Sequence, residues 1–325
     1  SGELIKSEVQ LYRLVTAKGR VYFRFQDQKN YRNPILYFGA TSVSDEMPTS
    51  KHLIDWKVSK AVSDGADATE RYVWIRTLYG SLSHTILADF INSGEVNLRG
   101  LPKRLREYFY SHSLYCTEEE LKSLGTELQK DFIAIKRFIQ DHDVKFVGVE
   151  VPVWSDMEGM ATQIDLICFM NWRESAKKDW QRVFAIIDYK TTKKSVARPE
   201  MRMQLESCKN MLIENYPQLA ENKIMLFNLS PNNWRTTNWN YKTKPYKLTL
   251  QDDKLDDKRY PHYLELAKMT AQEKWSRNVT FIDGNMKLTD DPSQFIKSKT
   301  IYQIIEEGLW QGLFANQKVE EVEAR

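Results

Sequence analysis

Cysteine is scarce in this chain of 325 residues: Cys116, Cys168 and Cys208 are odd in number, far apart and without a CxxC pair. That excludes a disulfide framework and gives no zinc or iron–sulfur pattern, leaving three reduced thiols. Neither sign of charge is in excess, since 47 Lys+Arg against 44 Asp+Glu leave a net +3, which excludes a polybasic coat. Any affinity for a polyanion must therefore come from local patches. Only 13 Gly and 10 Pro are present, too few for long flexible segments, and there is no internal repeat or low-complexity tract. No stretch approaches the roughly 18 apolar residues needed to span a bilayer, and the polar opening Ser1-Gly2-Glu3-Leu4-Ile5-Lys6 lacks the apolar segment of a secretion signal. The expectation is a soluble, cytoplasmic protein with no membrane partner, in the host cytoplasm if phage-encoded. The absence of any G-x-x-x-x-G-K-[ST] excludes an ATP-driven motor.

What is present reads as a folded α/β protein, with 42% hydrophobic and 12% aromatic residues. Residues 9–40 alternate apolar and polar around Val21-Tyr22-Phe23-Arg24-Phe25 and Ile35-Leu36-Tyr37-Phe38, which predicts a hairpin in a β-rich segment over 1–50. Helical spacing runs from Lys51 to Asn92 and is closed by Ser93-Gly94, and Thr117-Glu118-Glu119-Glu120 is a capping box opening a helix to about residue 142. Together these form a helical region, 51–143. From Asp143 the composition changes. Strands are predicted at Val144 to Trp154, Thr162 to Met170, Arg182 to Lys190, Lys223 to Leu229 and Tyr246 to Leu250, with a helix from Pro199 to about Asn215, forming a sheet core over 144–255. Residues 256–325 are expected to be mostly helical. The predicted architecture is a mixed central sheet flanked by helices, with N-terminal hairpin and helical additions and C-terminal helical ones.

Val183 to Ile187 is an unbroken apolar run, as in a strand buried on both faces, and it ends in Asp188-Tyr189-Lys190. With period-two alternation Asp188 and Lys190 share one face. The preceding strand carries Asp165 in Gln163-Ile164-Asp165-Leu166-Ile167, so a hairpin sets the two acids side by side. Paired carboxylates repel unless a cation lies between them, and hard oxygen ligands suit Mg²⁺ or Mn²⁺. Lys190, about 7 Å further along the strand face, would orient or deprotonate an attacking water and offset charge on a phosphate. A plain Asp–Lys ion pair at a strand end is the other reading of an isolated D-x-K. Glu150 stands out of pattern among valines in Val147-Gly148-Val149-Glu150-Val151. His84, in Gly80-Ser81-Leu82-Ser83-His84, is either a satisfied core histidine or an imidazole ligand, and Gly80 one turn earlier allows close approach.

These residues resemble the RecB-type branch of the PD-(D/E)XK nucleases. The resemblance runs from the G-x-x-x-H helix at Gly80–His84, through the acid strand at Glu150, to Ile164-Asp165, to Ile187-Asp188-Tyr189-Lys190, and ends at Gln204 in the following helix. It implies a restriction-endonuclease-like core in which His84, Asp165, Asp188 and the Tyr189 carbonyl bind a divalent metal. Lys190 is then the catalytic lysine, Glu150 supports a second metal or orients water, and Gln204 braces the site against DNA. Two positions depart from the family pattern: Cys208 stands where tyrosine is usual, and Gln163 where a glycine is usual. The implied function is a Mg²⁺- or Mn²⁺-dependent deoxyribonuclease, of exonuclease type, in recombination, repair or phage genome processing. A recombinase, helicase or single-strand-binding protein would be its protein partner. The alternatives are a catalytically silent DNA-binding or assembly module of the same fold, and an RNA-directed nuclease.

For nucleic acid, Lys193, Lys194, Arg198 and Arg202 follow the lysine strand and could meet phosphates. In the segment from Asn232 to Lys247, Trp234, Arg235 and Trp239 interleave rings with cations, either as a stacking platform or as a hairpin whose aromatics pack on the core. Lys103-Arg104-Leu105-Arg106 reads as a solvated helix face.

Overall fold

The computed structural model describes residues 11–16, 19–27, 32–48, 51–191, 198–221, 223–235, 243–252, 258–282, 285–288 and 296–297. The chain begins with three antiparallel strands, β1 (Tyr12–Thr16), β2 (Gly19–Asp27) and β3 (Arg32–Gly39). The expected hairpin is thus β2–β3, with one further strand on its edge. The helical region opens with the short α1 (Thr41–Asp45), followed by α2 (Lys51–Asp64) and α3 (Ala66–Ser93). Sequence periodicity runs through Gly65, but this residue sits at φ +92°, where an L side chain is strained, and it separates the two helices. Gly94, at φ +76°, ends α3 as predicted.

Two more helices follow, α4 (Leu101–Ser111) and α5 (Glu118–Asp141). The capping box at the start of α5 is present: the Glu120 N–H donates to the Thr117 hydroxyl, and the Thr117 N–H to the Glu120 carboxylate. The same carboxylate takes both Arg71 guanidinium nitrogens, at 2.6 and 2.8 Å, pinning α5 to α3. The Arg71 hydrogen bonds hold Glu120 down at about 2, far below its ordinary range. A depressed acid stabilises the fold above its unfolded pKa and loses that contribution as pH falls through the folded value. Glu120→Ala is expected to cost about 1 kcal/mol at neutral pH. In urea melts this deficit should close as pH drops from about 4.5 toward about 2.

The core sheet is built from β4 (Lys145–Ser155), β5 (Met160–Trp172), β6 (Gln181–Tyr189), β7 (Ile224–Ser230) and β8 (Lys247–Leu250), each within two residues of its predicted span. β4–β5–β6 are antiparallel neighbours, β6 and β7 are parallel, and β7–β8 is antiparallel. Parallel neighbours need a crossover, which α6 (Pro199–Asn215) supplies. The start of β5 also pairs in parallel with the end of β3, through Phe38↔Met160 and Gly39↔Ala161, so the N-terminal strands continue the sheet and it curls.

Strand β6 is buried on both faces. Ala185, Ile187 and Tyr189 pack with α3, α4 and α5, while Phe184 and Ile186 pack with Met203, Leu205, Met211 and Leu212 of α6. Burying one such aliphatic side chain contributes roughly 1.5–3 kcal/mol. Of the C-terminal region, residues 256–257, 283–284, 289–295 and 298–325 lie outside the described residues, and the described part is not all helical as expected. α7 (Tyr260–Asn278) is helical, but β9 (Val279–Ile282) and β10 (Asn285–Leu288) form a hairpin, and β11 (Ile296–Lys297) pairs with β1. The β-branched run Val279-Thr280-Phe281-Ile282 followed by Asp283-Gly284 carried that hairpin signal, and the charged residues around it obscured it.

Candidate metal centre

The site forms where the pairing of β4 and β5 changes faces. Val149 and its partner Leu166 lie toward the α3–α5 layer, whereas Val151 and its partner Ile164 pack with the α6–α7 core. Between these pairs Glu150 adopts φ +50°, a left-handed conformation that costs a non-glycine residue about 1 kcal/mol or more. The out-of-pattern acid in the sequence therefore marks a real break in strand alternation. It brings Glu150 against Asp165 and exposes both to α3.

From α3, His84 turns its ring into this break, with Nδ1 at 3.4 Å from Glu150 and 3.5 Å from Asp165. One donor atom from each of His84, Glu150 and Asp165 lies within 4.8 Å of the other two, a separation that a single ion can bridge. Two further contacts fix this geometry. The Tyr189 N–H donates to Asp165 at 2.8 Å, and the fully buried Tyr189 hydroxyl shares a 2.7 Å hydrogen bond with Ser83, the neighbour of His84. The Tyr189 ring meets the His84 ring edge-on at 5.1 Å. Gly80 faces a side chain, not another backbone. A Cβ there would lie 3.2 Å from the Thr191 hydroxyl just beyond Lys190, so a side chain at this position requires Thr191 to give by a few tenths of an ångström.

Asp188 lies on β6 next to this group but is not one of the three. Its Oδ1 accepts from Lys190 Nζ at 2.8 Å and from Gln204 Nε2 at 3.3 Å, and its other oxygen accepts from the Asn228 amide of β7. The D-x-K pair thus exists as an ion pair, yet it stands among two further acids and a histidine, which an ordinary strand-end pair does not.

The electrostatics follow from burial and crowding. Burial, then Asp188 and Glu150, lift the Asp165 carboxyl well above its ordinary range, even though His84 pulls the other way. For His84, burial opposes the charge, but Asp165, Glu150 and Asp188 outweigh it and raise the imidazole to about 9. Lys190 is likewise raised, because Asp188 and Asp165 overcome its desolvation. A site with more carboxylate than local cation, held open by backbone and ring contacts, has the donor set that a divalent ion fits: carboxylate oxygens and one imidazole suit Mn²⁺, and the carboxylates Mg²⁺.

The expected nucleic-acid contacts fare unevenly. Lys193, Lys194 and Trp239 lie outside the described residues. Arg198 is half-buried at the N-cap of α6, 3.6 Å from Glu200. Arg202 is turned inward: it is 5% exposed, paired with Glu206 at 2.6 Å, and donates to the Gln251 carbonyl. Arg235 is also enclosed, bonded to Asp131 at 2.6 Å and Glu127 at 3.1 Å, while the Trp234 indole donates to Asp131. For this part of the Asn232–Lys247 segment, packing on the core is the arrangement found, because buried Asp131 demands a cation. Arg104 and Arg106 pair with Asp89 and Glu118, as a solvated helix face does. Asn228 and Gln251 were missed by sequence reasoning. Asn228 had left a signal as the polar residue in the otherwise apolar run Ile224 to Leu229, and Gln251 had left none.

Among the described residues no helix is long and apolar enough to cross a membrane. Compared with models of known protein families and with curated proteins, the sequence matches none.

Proposed function

We propose that this chain is a divalent-metal-dependent nuclease that hydrolyses phosphodiester bonds in DNA, with a core of the PD-(D/E)XK type. The observation that carries the reading is the convergence of His84, Glu150 and Asp165 within 4.8 Å, beside the Asp188–Lys190 pair on the adjoining strand. What supports the fold is the order in which these groups arrive: a histidine helix, an acid strand, an aspartate strand, the D-x-K strand, then a helix whose Gln204 hydrogen-bonds Asp188.

His84, Asp165 and Glu150, with Asp188 alongside, would hold the ion. When bound, Mg²⁺ or Mn²⁺ supplies Lewis-acid stabilisation of the charge that develops on the phosphate oxygens. Lys190, anchored on Asp188, orients the attacking water and offsets negative charge on the pentacovalent phosphorus. Tyr189 holds Asp165 through its N–H, and Gln204 steadies Asp188 so that neither carboxylate turns as the substrate enters.

End-labelled linear duplex, single-stranded and covalently closed circular DNA, with RNA alongside, are to be incubated with Mg²⁺, Mn²⁺ or EDTA. Metal-dependent cutting of DNA that disappears in Lys190→Ala is expected, and sparing of the circles would mark an exonuclease. DNA binding without cutting would overturn the enzymatic reading in favour of a silent assembly module, and cutting confined to RNA would overturn the assignment to DNA. The metal also has a separate signature. Mn²⁺ should raise the melting temperature by several degrees at 100-fold excess over its Kd, corresponding to about 2.7 kcal/mol, and EDTA should reverse the rise.

A further inference from the structure

A chain of buried amides leads away from the site and ends on the backbone of Arg198, the N-cap of α6. Asn228 donates through Nδ2 to Asp188, and its Oδ1 accepts from Gln251 Nε2 at 2.6 Å. Gln251 in turn accepts the Arg198 backbone N–H on its Oε1 at 3.2 Å. Asn228 is completely buried and Gln251 is 1% exposed. The Gln251 backbone is itself fixed at both ends, its N–H donating to the Leu226 carbonyl and its carbonyl accepting from Arg202.

Each end of this chain has a fixed chemical sense. The Arg198 N–H can only donate and an ionised Asp188 can only accept, whereas a side-chain amide has a donor end and an acceptor end. Gln251 must therefore present oxygen to Arg198 and nitrogen to Asn228. Asn228 must then present oxygen to Gln251 and nitrogen to Asp188. The same helix closes the circuit, because Gln204 of α6 donates to the other oxygen of Asp188.

We infer that Gln251 and Asn228 are positioning residues for the metal centre, a relay whose direction is set by the N–H of Arg198, the N-cap of α6, and which keeps a donor aimed at Asp188. The inference rests on the metal-dependent reading of the site. Gln251 touches no acid of the centre, so its influence must pass through Asn228. Gln251→Glu is nearly the same shape but, when ionised, offers only acceptors. It would draw the Asn228 amide nitrogen to itself and turn the Asn228 oxygen onto Asp188, replacing attraction with repulsion.

The test is Mn²⁺ binding by calorimetry for the full chain, for Gln251→Glu, for Asn228→Ala and for the double variant, each checked for a cooperative melt. Gln251→Glu and Asn228→Ala should each weaken Mn²⁺ binding about 10- to 100-fold, the range for outer partners of metal ligands. In the Asn228→Ala background, Gln251→Glu should change Mn²⁺ affinity no further, a coupling that loss of stability alone would not produce. Unchanged Mn²⁺ affinity in a folded Gln251→Glu, or additive effects in the double variant, would overturn the relay while leaving the centre intact. If Gln251→Glu does not fold, Asn228→Ala decides the matter, since parental Mn²⁺ affinity in that variant overturns the relay. Absence of Mn²⁺ binding by the parent chain would overturn the metal reading and the relay with it.

Discussion

Asp165→Asn should abolish metal-dependent cleavage, by about 10³-fold or more, while leaving the unliganded protein at least as stable as the parent. The activity loss follows from removing one of two carboxylates from a three-residue donor set, since an ion's charge stabilisation at phosphorus contributes several kcal/mol. The stability result follows from the opposite sign of the same charge in the absence of an ion. Asp165 is enclosed beside Glu150 and Asp188, and its carboxyl is raised, so its ionisation opposes folding. A raised acid gives stability that is lost as pH climbs through its folded pKa, so removing the charge should help most at alkaline pH. An Asn oxygen still accepts the Tyr189 N–H that Asp165 takes at 2.8 Å, so the backbone contact survives. Melting curves with and without Mn²⁺ check both halves: the metal-induced rise should vanish and the metal-free midpoint should not fall. A variant that melts well below the parent while still cutting DNA would show Asp165 to be a structural acid.

Arg235→Ala has the largest expected effect on stability, about 3–5 kcal/mol at pH 8, because it strands the buried carboxylate of Asp131. Asp131 is fully buried and bonded by the Tyr79 hydroxyl at 2.6 Å, the Trp234 indole at 3.0 Å and Arg235 at 2.6 Å, the last being its cation. Burial already lifts Asp131 to about 6 with the arginine in place. Without Arg235 its pKa rises further, so the folded variant takes up a proton more readily and the deficit should be smaller at pH 5 than at pH 8. Urea denaturation at the two pH values measures this directly. The result also separates two roles for the segment. A DNA contact at Arg235 would show as lost DNA affinity in a protein of parental stability, and that outcome would refute the packing role.

The sequence carried the elements and most of the site because their signals are local. The capping box of α5, the Gly94 stop of α3, and the alternation and unbroken apolar run of the core strands all depend on neighbours a few residues away. The candidate-site residues His84, Glu150, Asp165, Asp188 and Lys190 were legible for a related reason: they are polar groups in elements that bury apolar surface, and burying such a group needs a compensating partner.

Tertiary structure decided which of these groups meet. Alternation along straight strands puts Asp165 with Asp188. The left-handed turn at Glu150 adds Glu150 and His84 to Asp165, while Asp188, still beside Asp165, is bonded by Lys190, Gln204 and Asn228. It likewise drew Arg202 and Arg235 inward, because the Gln251 carbonyl and the buried Asp131 take their guanidinium donors, partners that no local pattern announces. The buried Gln251 belongs to the same class, since the hydrogen-bond direction it transmits is set by a backbone N–H 53 residues earlier in the chain. Periodicity reports what one segment needs to bury. The partner that satisfies a buried charge or amide comes from wherever the fold brings the chain back.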